Sequence, residues 1–263
     1  MTPIRGTVSK LYCSKSGQGP NLVLLHGWGS SSKIWHKVAG DLALKYQVWC
    51  VDLPGHGHSH AMHWDCSTEQ GMQLLADVLP PAASFLGWSL GGLWALLYAR
   101  QYPDRVVDVM LVSSAPRFTA TQEWPHGMAQ TELLDFSRQF SKAPQRTLKK
   151  FCSLQAINSE HAKPTLVALR SALSSSPVHT RNIAWGLKWL EQVDLRSDSR
   201  FSHLPVDLLH GEEDQVLPVA AAEGTNRIWQ HARVERIPKA GHAPFVSHPE
   251  QFLQWVAQRK IHE

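Results

Sequence analysis

A serine flanked by glycines stands at the centre of the stretch Gly87-Trp88-Ser89-Leu90-Gly91-Gly92. The short apolar run Ala83–Leu86 precedes it, and leucines at helical spacing follow it. Glycines two residues before and two residues after a serine let the chain turn sharply from a strand into a helix, which exposes the hydroxyl at the helix N-terminus. A bare G-x-S-x-G string also occurs by chance. With a strand before it and a helix after it, the pattern predicts that Ser89 is a nucleophile.

A serine hydroxyl needs a neighbouring base, and that base needs an acid to orient it. In folds with this turn, the chain order is serine, then acid, then histidine. Three acids, Glu212, Glu213 and Asp214, follow a predicted strand that ends at His210. Because Gly211 turns the chain before them and a proline restarts it after them, we predict that Asp214 is the acid and that the two glutamates are solvated loop residues.

The base has to be chosen from fifteen histidines. His242 lies in a small-residue loop, Lys239-Ala240-Gly241-His242-Ala243-Pro244, between the last predicted strand and the last predicted helix. It is the only histidine that both follows Ser89 and Asp214 and lies in a strand-to-helix turn. The predicted triad is therefore Ser89, Asp214 and His242.

Acyl transfer also requires N–H donors for the developing oxyanion. The motif predicts one donor at the backbone N–H of Leu90 and another in the loop His26-Gly27-Trp28-Gly29, at Trp28. The Trp28 indole either contacts the substrate or packs in the core, and the two interpretations are compatible.

Alternating strands and helices must position these residues. Strands are predicted at Asn21–His26, Tyr46–Asp52, Ala83–Gly87, Val106–Val112, Val206–His210 and Val234–Ile237. Helices are predicted at Ile34–Leu44, Thr68–Leu79, Leu90–Gln101 (amphipathic) and Pro249–Lys260. This alternation predicts an α/β fold with a mostly parallel central sheet and helices on both faces.

The alternation of predicted strands and helices stops in the middle of the chain. From about Phe118 to Leu195 the sequence shows helical segments separated by prolines and no convincing strand, with a loop predicted at Ser174–Pro177. We therefore expect an α/β core formed by residues 1–117 and 196–263, with a helical lid, residues 118–195, inserted in it.

Composition narrows the class of protein. The chain has 263 residues, of which 43% are hydrophobic and 18% charged, which excludes a disordered or repetitive protein. The four cysteines lack C-x-x-C spacing and no cluster has metal-ligand spacing, so we expect reduced thiols and neither metal nor cofactor. Without a signal-like start or a membrane-length apolar run, a cytoplasmic monomer is expected.

The net charge of +4 is unevenly distributed. Between residues 138 and 170 a single acid, Glu160, accompanies seven basic residues, Arg138, Lys142, Arg146, Lys149, Lys150, Lys163 and Arg170. A solvated helix face is the usual meaning of such a run. Here the run lies in the segment expected to roof the site, which favours a docking role.

Several motifs together resemble the α/β-hydrolase superfamily over essentially the whole chain, and within it the biotin-pathway pimeloyl-[acyl-carrier protein] methyl ester esterases. The motifs are Leu24–Gly29, Val51–Gly57, Leu86–Gly92, Glu123-Trp124-Pro125, Phe151–Gln155 and Ala243–Pro249. The resemblance implies hydrolysis of the methyl ester of a pimeloyl chain whose other end is linked to the carrier protein, by the same triad.

It also implies which residues contact the substrate, namely Trp28, Ser89, Leu90, Phe151, Cys152, Ser153, Leu154, Gln155 and His242. Acyl-carrier proteins resemble acidic helical rods, so the seven basic residues would steer docking. Nucleic acid is disfavoured as a partner because no nucleic-acid-binding motif accompanies the charge, and no membrane partner is expected.

Two alternatives stay open at this point. A general carboxylesterase or carbon–carbon bond hydrolase would use the same scaffold on small soluble substrates, and a non-catalytic receptor would keep the fold without turnover. Dehalogenases and epoxide hydrolases of this fold are disfavoured because they carry Asp where this chain has Ser89.

Overall fold

A computed structural model describes residues 10–62, 64–174 and 179–258. The strands are β1 (Cys13–Ser16), β2 (Asn21–Leu25), β3 (Gln47–Val51), β4 (Ala83–Trp88), β5 (Val106–Val112), β6 (Val206–Gly211) and β7 (Arg233–Ile237). The helices are α1 (His36–Leu42), α2 (Thr68–Ala76), α3 (Leu90–Gln101), α4 (Gln130–Lys142), α5 (Pro144–Ala156), α6 (Ala162–Ser174), α7 (Thr180–Gln192), α8 (Ala220–Ile228), α9 (Pro244–Ser247) and α10 (Pro249–Ala257).

The strands form one sheet in the order β1-β3-β2-β4-β5-β6-β7. Every neighbouring pair is parallel except β1 with β3. Gly87 at the end of β4 is aligned with Leu25 on one side and Leu111 on the other, so the carboxyl ends of the central strands meet at one edge. The predicted mostly parallel α/β sheet is confirmed, and the loops that leave this edge carry the candidate site.

Most predicted elements form, with three differences. The segment predicted as a helix over Ile34–Leu44 begins as a short 3-10 turn, Ser32–Trp35, before α1. β1, α8 and α9 were not predicted; β1 and α9 have only four residues each, and Gly224 interrupts the helical pattern of α8. The last helix is described to Ala257, and the rest of the predicted range includes residues outside the described part.

α3 lies in the centre of the core. The sequence predicted an amphipathic helix, but every residue of α3 from Leu90 to Ala99 is buried. This prediction was wrong because α3 is enclosed on all sides: it packs on β4, β5 and β2 and is also covered by α2 and α7. The helix that begins directly after Ser89 is thereby packed on every side.

Four helices, α4 to α7, lie between β5 and β6, in the segment predicted as the lid, and we keep that name for the segment. The chain enters and leaves the lid side by side, since the Leu195 N–H donates to the Pro116 carbonyl and Arg117 pairs with Asp194 at 2.8 Å. The loop predicted at Ser174–Pro177 lies almost entirely outside the described residues. In the described ranges, none of the helices combines the length and apolar character required to cross a membrane.

Candidate active site

The Ser89 turn joins β4 to α3. Ser89 has φ 54° and ψ −119°, a conformation that costs energy for any residue with a Cβ and persists only where its surroundings impose it. A Cβ on Gly87 would collide with the backbone of Gly91, and one on Gly91 would collide with the carbonyl of Leu25. The two glycines of the motif are therefore required for the turn to pack against β2.

The Asp214 carboxylate lies in the loop after β6 and is buried. Its Oδ1 accepts hydrogen bonds from the backbone N–H groups of Val216 and Leu217, at 2.8 and 3.0 Å. Its Oδ2 lies 2.8 Å from Nδ1 of His242. Both oxygens are engaged, so the carboxylate can orient the imidazole in one way only.

The charge state of Asp214 follows from these contacts. Burial alone would raise the pKa of this carboxyl, but the facing His242 and the hydrogen bonds from His210 and His242 outweigh burial and hold the pKa well below its usual range. Asp214 is therefore ionised at neutral pH and accepts the proton on Nδ1 of His242.

His242 is fully buried in the loop after β7. Its carbonyl accepts a hydrogen bond of 2.7 Å from the indole of Trp88, the residue before Ser89. Its N–H donates to the carbonyl of Gln155 at the end of α5, at 3.1 Å. Because Nδ1 faces Asp214, Nε2 is the atom left to exchange protons, and this buried nitrogen has no hydrogen-bond partner among the described residues.

The two predicted oxyanion donors belong to different elements. Leu90 is the first residue of α3, where backbone N–H groups have no partner within the helix. The Trp28 indole donates to the carbonyl of Ile183 on α7 at 2.8 Å, and its ring meets Phe136, Phe140 and Phe151 edge-on. The indole thus packs against the lid and also lines the cavity described below.

Two histidines that sequence reasoning did not select hold the loop around Trp28. Nε2 of His56 accepts the Gly29 N–H at 3.1 Å, and Nε2 of His26 accepts the Leu53 N–H at 3.0 Å. Burial lowers the pKa of His56 to about 3, with a further contribution from His26, and burial also lowers the pKa of His26. Both rings are therefore neutral acceptors, and their partners are backbone groups that no sequence motif reveals.

His210, at the end of β6, also contacts the acid. Its Nε2 lies 2.8 Å from the carbonyl of Leu217 and 3.2 Å from Oδ2 of Asp214, the oxygen that orients His242. A carbonyl can only accept, so Nε2 carries the proton and donates. The sequence placed His210 in a strand but indicated no role for it.

An apolar cavity of about 250 Å³ reaches Ser89 between the core and the lid. Its lining residues are Trp28, Ser89, Phe118, Met128, Glu132, Leu133, Phe136, Phe151, Leu154, Leu187, Leu190, Gln215 and Val216. A second groove of about 360 Å³ shares Phe136, Phe151 and Leu154 with this cavity and has Lys150 on its rim. These three shared side chains form the wall between the cavity and the groove.

The segment Phe151–Gln155 divides its side chains among different surroundings. Phe151 and Leu154 line both the cavity and the neighbouring groove, whereas Ser153 lines the groove alone. Cys152 is buried, and burial raises the pKa of its thiol to about 11. Gln155 is also buried, and its carbonyl holds the backbone of His242.

The seven basic residues of the lid are all exposed. They lie on separate helices, with Arg138 and Lys142 on α4, the next three on α5, and Lys163 and Arg170 on α6. Arg138 pairs with Asp135 at 3.0 Å, an acid that the sequence count, which began at residue 138, did not include. The basic surface is therefore centred on Arg146, Lys149 and Lys150 of α5.

The arrangement combines a hydroxyl at a strained turn, a buried imidazole oriented by an ionised carboxylate, and a helix start at which the Leu90 N–H has no partner within the helix. Such an arrangement supports nucleophilic acyl transfer. In the described part of the chain, the group of residues positioned to hold a metal consists of Glu160, His161 and His248 and includes no member of the triad.

Comparison with known proteins agrees with this chemistry. Residues 20–249 match a family model described as alpha/beta hydrolase fold. A pimeloyl-[acyl-carrier protein] methyl ester esterase of Nitrosomonas europaea is 38% identical over 247 residues, which cover 94% of this chain and 98% of that protein. The esterase of the same name from Photobacterium profundum is 39% identical over 239 residues, covering 90% and 93%.

Solved structures show the same fold. An esterase from Exiguobacterium antarcticum superposes with a TM-score of 0.84 at 24% identity, covering 94% of each chain. At this level of identity, the likeness shows the architecture alone.

Proposed function

This chain belongs to the α/β-hydrolase family and, within it, to the pimeloyl-[acyl-carrier protein] methyl ester esterases, and from that membership we propose its substrate and mechanism. The chain is a carboxylic ester hydrolase. Its substrate is the methyl ester of pimeloyl-[acyl-carrier protein], which it hydrolyses to methanol and the free acid for biotin synthesis.

The observation that carries the proposal is the position of the apolar cavity. It extends from Ser89 beneath helices that bear exposed basic residues. A chain of methylene groups suits its apolar walls. The carrier protein, which is acidic, suits the basic surface outside.

The reaction follows from the roles of the triad. His242 takes the proton from Ser89 Oγ while that oxygen attacks the ester carbonyl. The backbone N–H groups of Trp28 and Leu90 donate to the oxyanion. Each such donor is worth about 3 kcal/mol of transition-state stabilisation. Methanol leaves with a proton from His242, and water activated by the same imidazole releases the acid. Asp214 keeps His242 in the productive tautomer.

Substrate contacts come from both sides of the cavity. Phe151 and Leu154 contact the acyl chain, together with Trp28, while Ser153 and Lys150 lie along the neighbouring groove, where the linker to the carrier protein enters. Cys152 and Gln155 are buried. Cys152 supports α5, and the carbonyl of Gln155 supports the His242 loop.

We place the carrier-protein docking surface on the exposed basic residues of the lid. Arg146, Lys149 and Lys150 contribute most, because Arg138 already has an acidic partner. Lys142, Lys163 and Arg170 extend the positive field around them. The enzyme acts as a monomer in the cytoplasm, where its four unpaired thiols stay reduced.

The test compares two substrates in one variant. Replacing Arg146, Lys149 and Lys150 with Gln lowers kcat/KM for the carrier-bound ester by about tenfold or more, because steering and docking are lost. Hydrolysis of p-nitrophenyl acetate stays within about twofold, since that small ester has no docking surface to use.

The matched control replaces Lys37, Lys45 and Arg227, three exposed basic residues outside the lid, with Gln. This control changes the net charge equally and leaves both rates near those of the wild type. Equal losses on both esters in the lid variant would overturn the docking surface and favour a general carboxylesterase. A loss on the carrier-bound ester in the control as large as that in the lid variant would show that net charge, rather than the lid surface, attracts the carrier protein.

A further inference from the structure

Three potential metal ligands meet where the lid contacts the core. Glu160 and His161 lie in the loop between α5 and α6, and His248 lies between α9 and α10. One ligand atom from each residue lies within 4.8 Å of the other two. The sequence predicted no metal because neighbouring ligands in space come from segments far apart in the chain.

A hydrogen bond orients the His248 ring. Its Nδ1 lies 2.8 Å from the hydroxyl oxygen of Ser247, and that hydroxyl also lies 3.4 Å from the carbonyl of Ala243. With Nδ1 engaged on Ser247, Nε2 is the ring nitrogen left to bind an ion, and it faces Oε2 of Glu160 at 3.9 Å.

Glu160 is held in a complementary way. Its Oε1 pairs with the ammonium of Lys239 at 3.3 Å, so Oε2 is the oxygen turned toward the imidazoles. Metal-binding imidazoles and carboxylates are commonly oriented by such outer hydrogen bonds. Here both His248 and Glu160 already have that support.

The spacing suits a small ion. A point central to three atoms 4.8 Å apart is at most about 2.8 Å (4.8 Å divided by √3) from each. Zinc bonds to nitrogen and oxygen are about 2.0–2.2 Å long. Glu160 and His161 are exposed, so their side chains can close this difference without disturbing the core.

We propose that Glu160, His161 and His248 form a binding site for a divalent transition-metal ion, with zinc as the best fit, at the junction of lid and core. Two imidazoles and one carboxylate form a donor set that suits zinc better than magnesium or calcium. Water completes the tetrahedral coordination.

The site lies on a connection that already links the lid to the catalytic loop. The Glu160 N–H donates to the carbonyl of Lys239 at 2.9 Å, three residues before His242. A bound ion would strengthen this connection. Because it binds the folded chain alone, it would raise the melting temperature by a few degrees at saturation.

The test titrates metal-stripped, untagged chain with zinc against a chromophoric chelator. We expect one saturable site with a Kd in the micromolar range, together with the rise in melting temperature. His161→Ala removes an exposed ligand without affecting the fold and weakens binding by about tenfold or more. The control, His203→Ala, removes another exposed histidine and leaves binding unchanged.

A second variant guards against zinc bound elsewhere on this histidine-rich chain. Glu160→Gln keeps the shape of the side chain but lowers the affinity by about tenfold, and cobalt in the wild type gives the visible absorption of a tetrahedral site. The proposal fails if zinc does not saturate the wild-type chain, or if His161→Ala and Glu160→Gln bind zinc as the wild type does. Neither result bears on the esterase activity.

Discussion

The polar side chains of the candidate site, at the carboxyl edge of the sheet, are buried, whereas the lysines and arginines of the lid are exposed. At the sheet edge, Asp214, His242 and His210 are buried and held by short hydrogen bonds. On α5, Arg146 and Lys149 extend into solvent. Buried polar groups are worth most when every partner is in place, whereas exposed charges act at a distance and are screened by salt. The contrast matches the division of roles that we propose, with the chemistry in the core and recognition of the carrier protein on the lid.

Removing the nucleophile gives the largest expected effect. Ser89→Ala lowers kcat by about 10⁴-fold or more on both the carrier-bound ester and p-nitrophenyl acetate, because both substrates use the same hydroxyl. Labelling by a fluorophosphonate disappears as well, while circular dichroism stays unchanged. A variant that lost activity on only one ester would break the separation between chemistry and recognition.

Acid stability tests the buried histidines of the core. The pKa of His56 is about 3 when folded and returns to about 6.5 on unfolding, so between these values the unfolded chain binds more protons. The stabilisation of the folded chain by the neutral His56 ring is complete above pH 6.5 and is lost as the pH falls toward 3. From pH 7 to pH 5 this residue alone accounts for a loss of about 2 kcal/mol in the free energy of unfolding.

Urea unfolding at the two pH values measures this loss. His56→Gln keeps an acceptor for Gly29 but does not titrate, so its loss between pH 7 and pH 5 is smaller than that of the wild type by about 2 kcal/mol. His203→Gln, at an exposed site, matches the wild type. Parallel pH dependence in all three proteins would contradict the role assigned to His56.

His210 offers a finer test of how the acid is held. In His210→Phe, Oδ2 of Asp214 loses one donor, and kcat falls by about tenfold on either ester. The remaining hydrogen bond to His242 becomes stronger, so its proton resonance moves further downfield in the NMR spectrum. His210→Gln, which can donate a hydrogen bond, restores part of kcat and moves the proton resonance part of the way back. A lower kcat with an unmoved resonance would mean that His210 serves packing alone.

Salt gives the smallest effect and addresses the lid. Raising the ionic strength from about 0.05 to 0.5 M shortens the screening length below about 5 Å, and kcat/KM for the carrier-bound ester falls severalfold. The rate on p-nitrophenyl acetate stays constant over the same range. Equal salt dependence for both esters would place the relevant charges at the active site rather than on the lid surface.

Sequence reasoning reached furthest where local backbone geometry restricts the residue type. β5 and α3 form in the ranges where a strand and a helix were expected, and the Ser89 turn was recognised from its flanking glycines, which the packing of the turn requires. The predicted acid and base were selected from the order of the elements, and in the structure Oδ2 of Asp214 lies 2.8 Å from Nδ1 of His242.

The rest depends on contacts that join distant segments. His56 and His210 bind backbone groups whose positions exist only after folding. To predict the pairing of Arg138 with Asp135, one has to know which face of α4 each side chain occupies. The burial of α3 on every side depends on the lid helix α7 covering it, which no periodicity within α3 can reveal.

The hydrogen bond from His242 to the Gln155 carbonyl has a consequence for engineering. The final turn of α5 is a structural support of the catalytic imidazole as well as part of the roof. Chimeras in which the whole lid is exchanged between relatives would therefore displace His242 and lose turnover. Grafts confined to the outer surface of α4 and the first half of α5 would redirect partner choice while leaving the reaction intact.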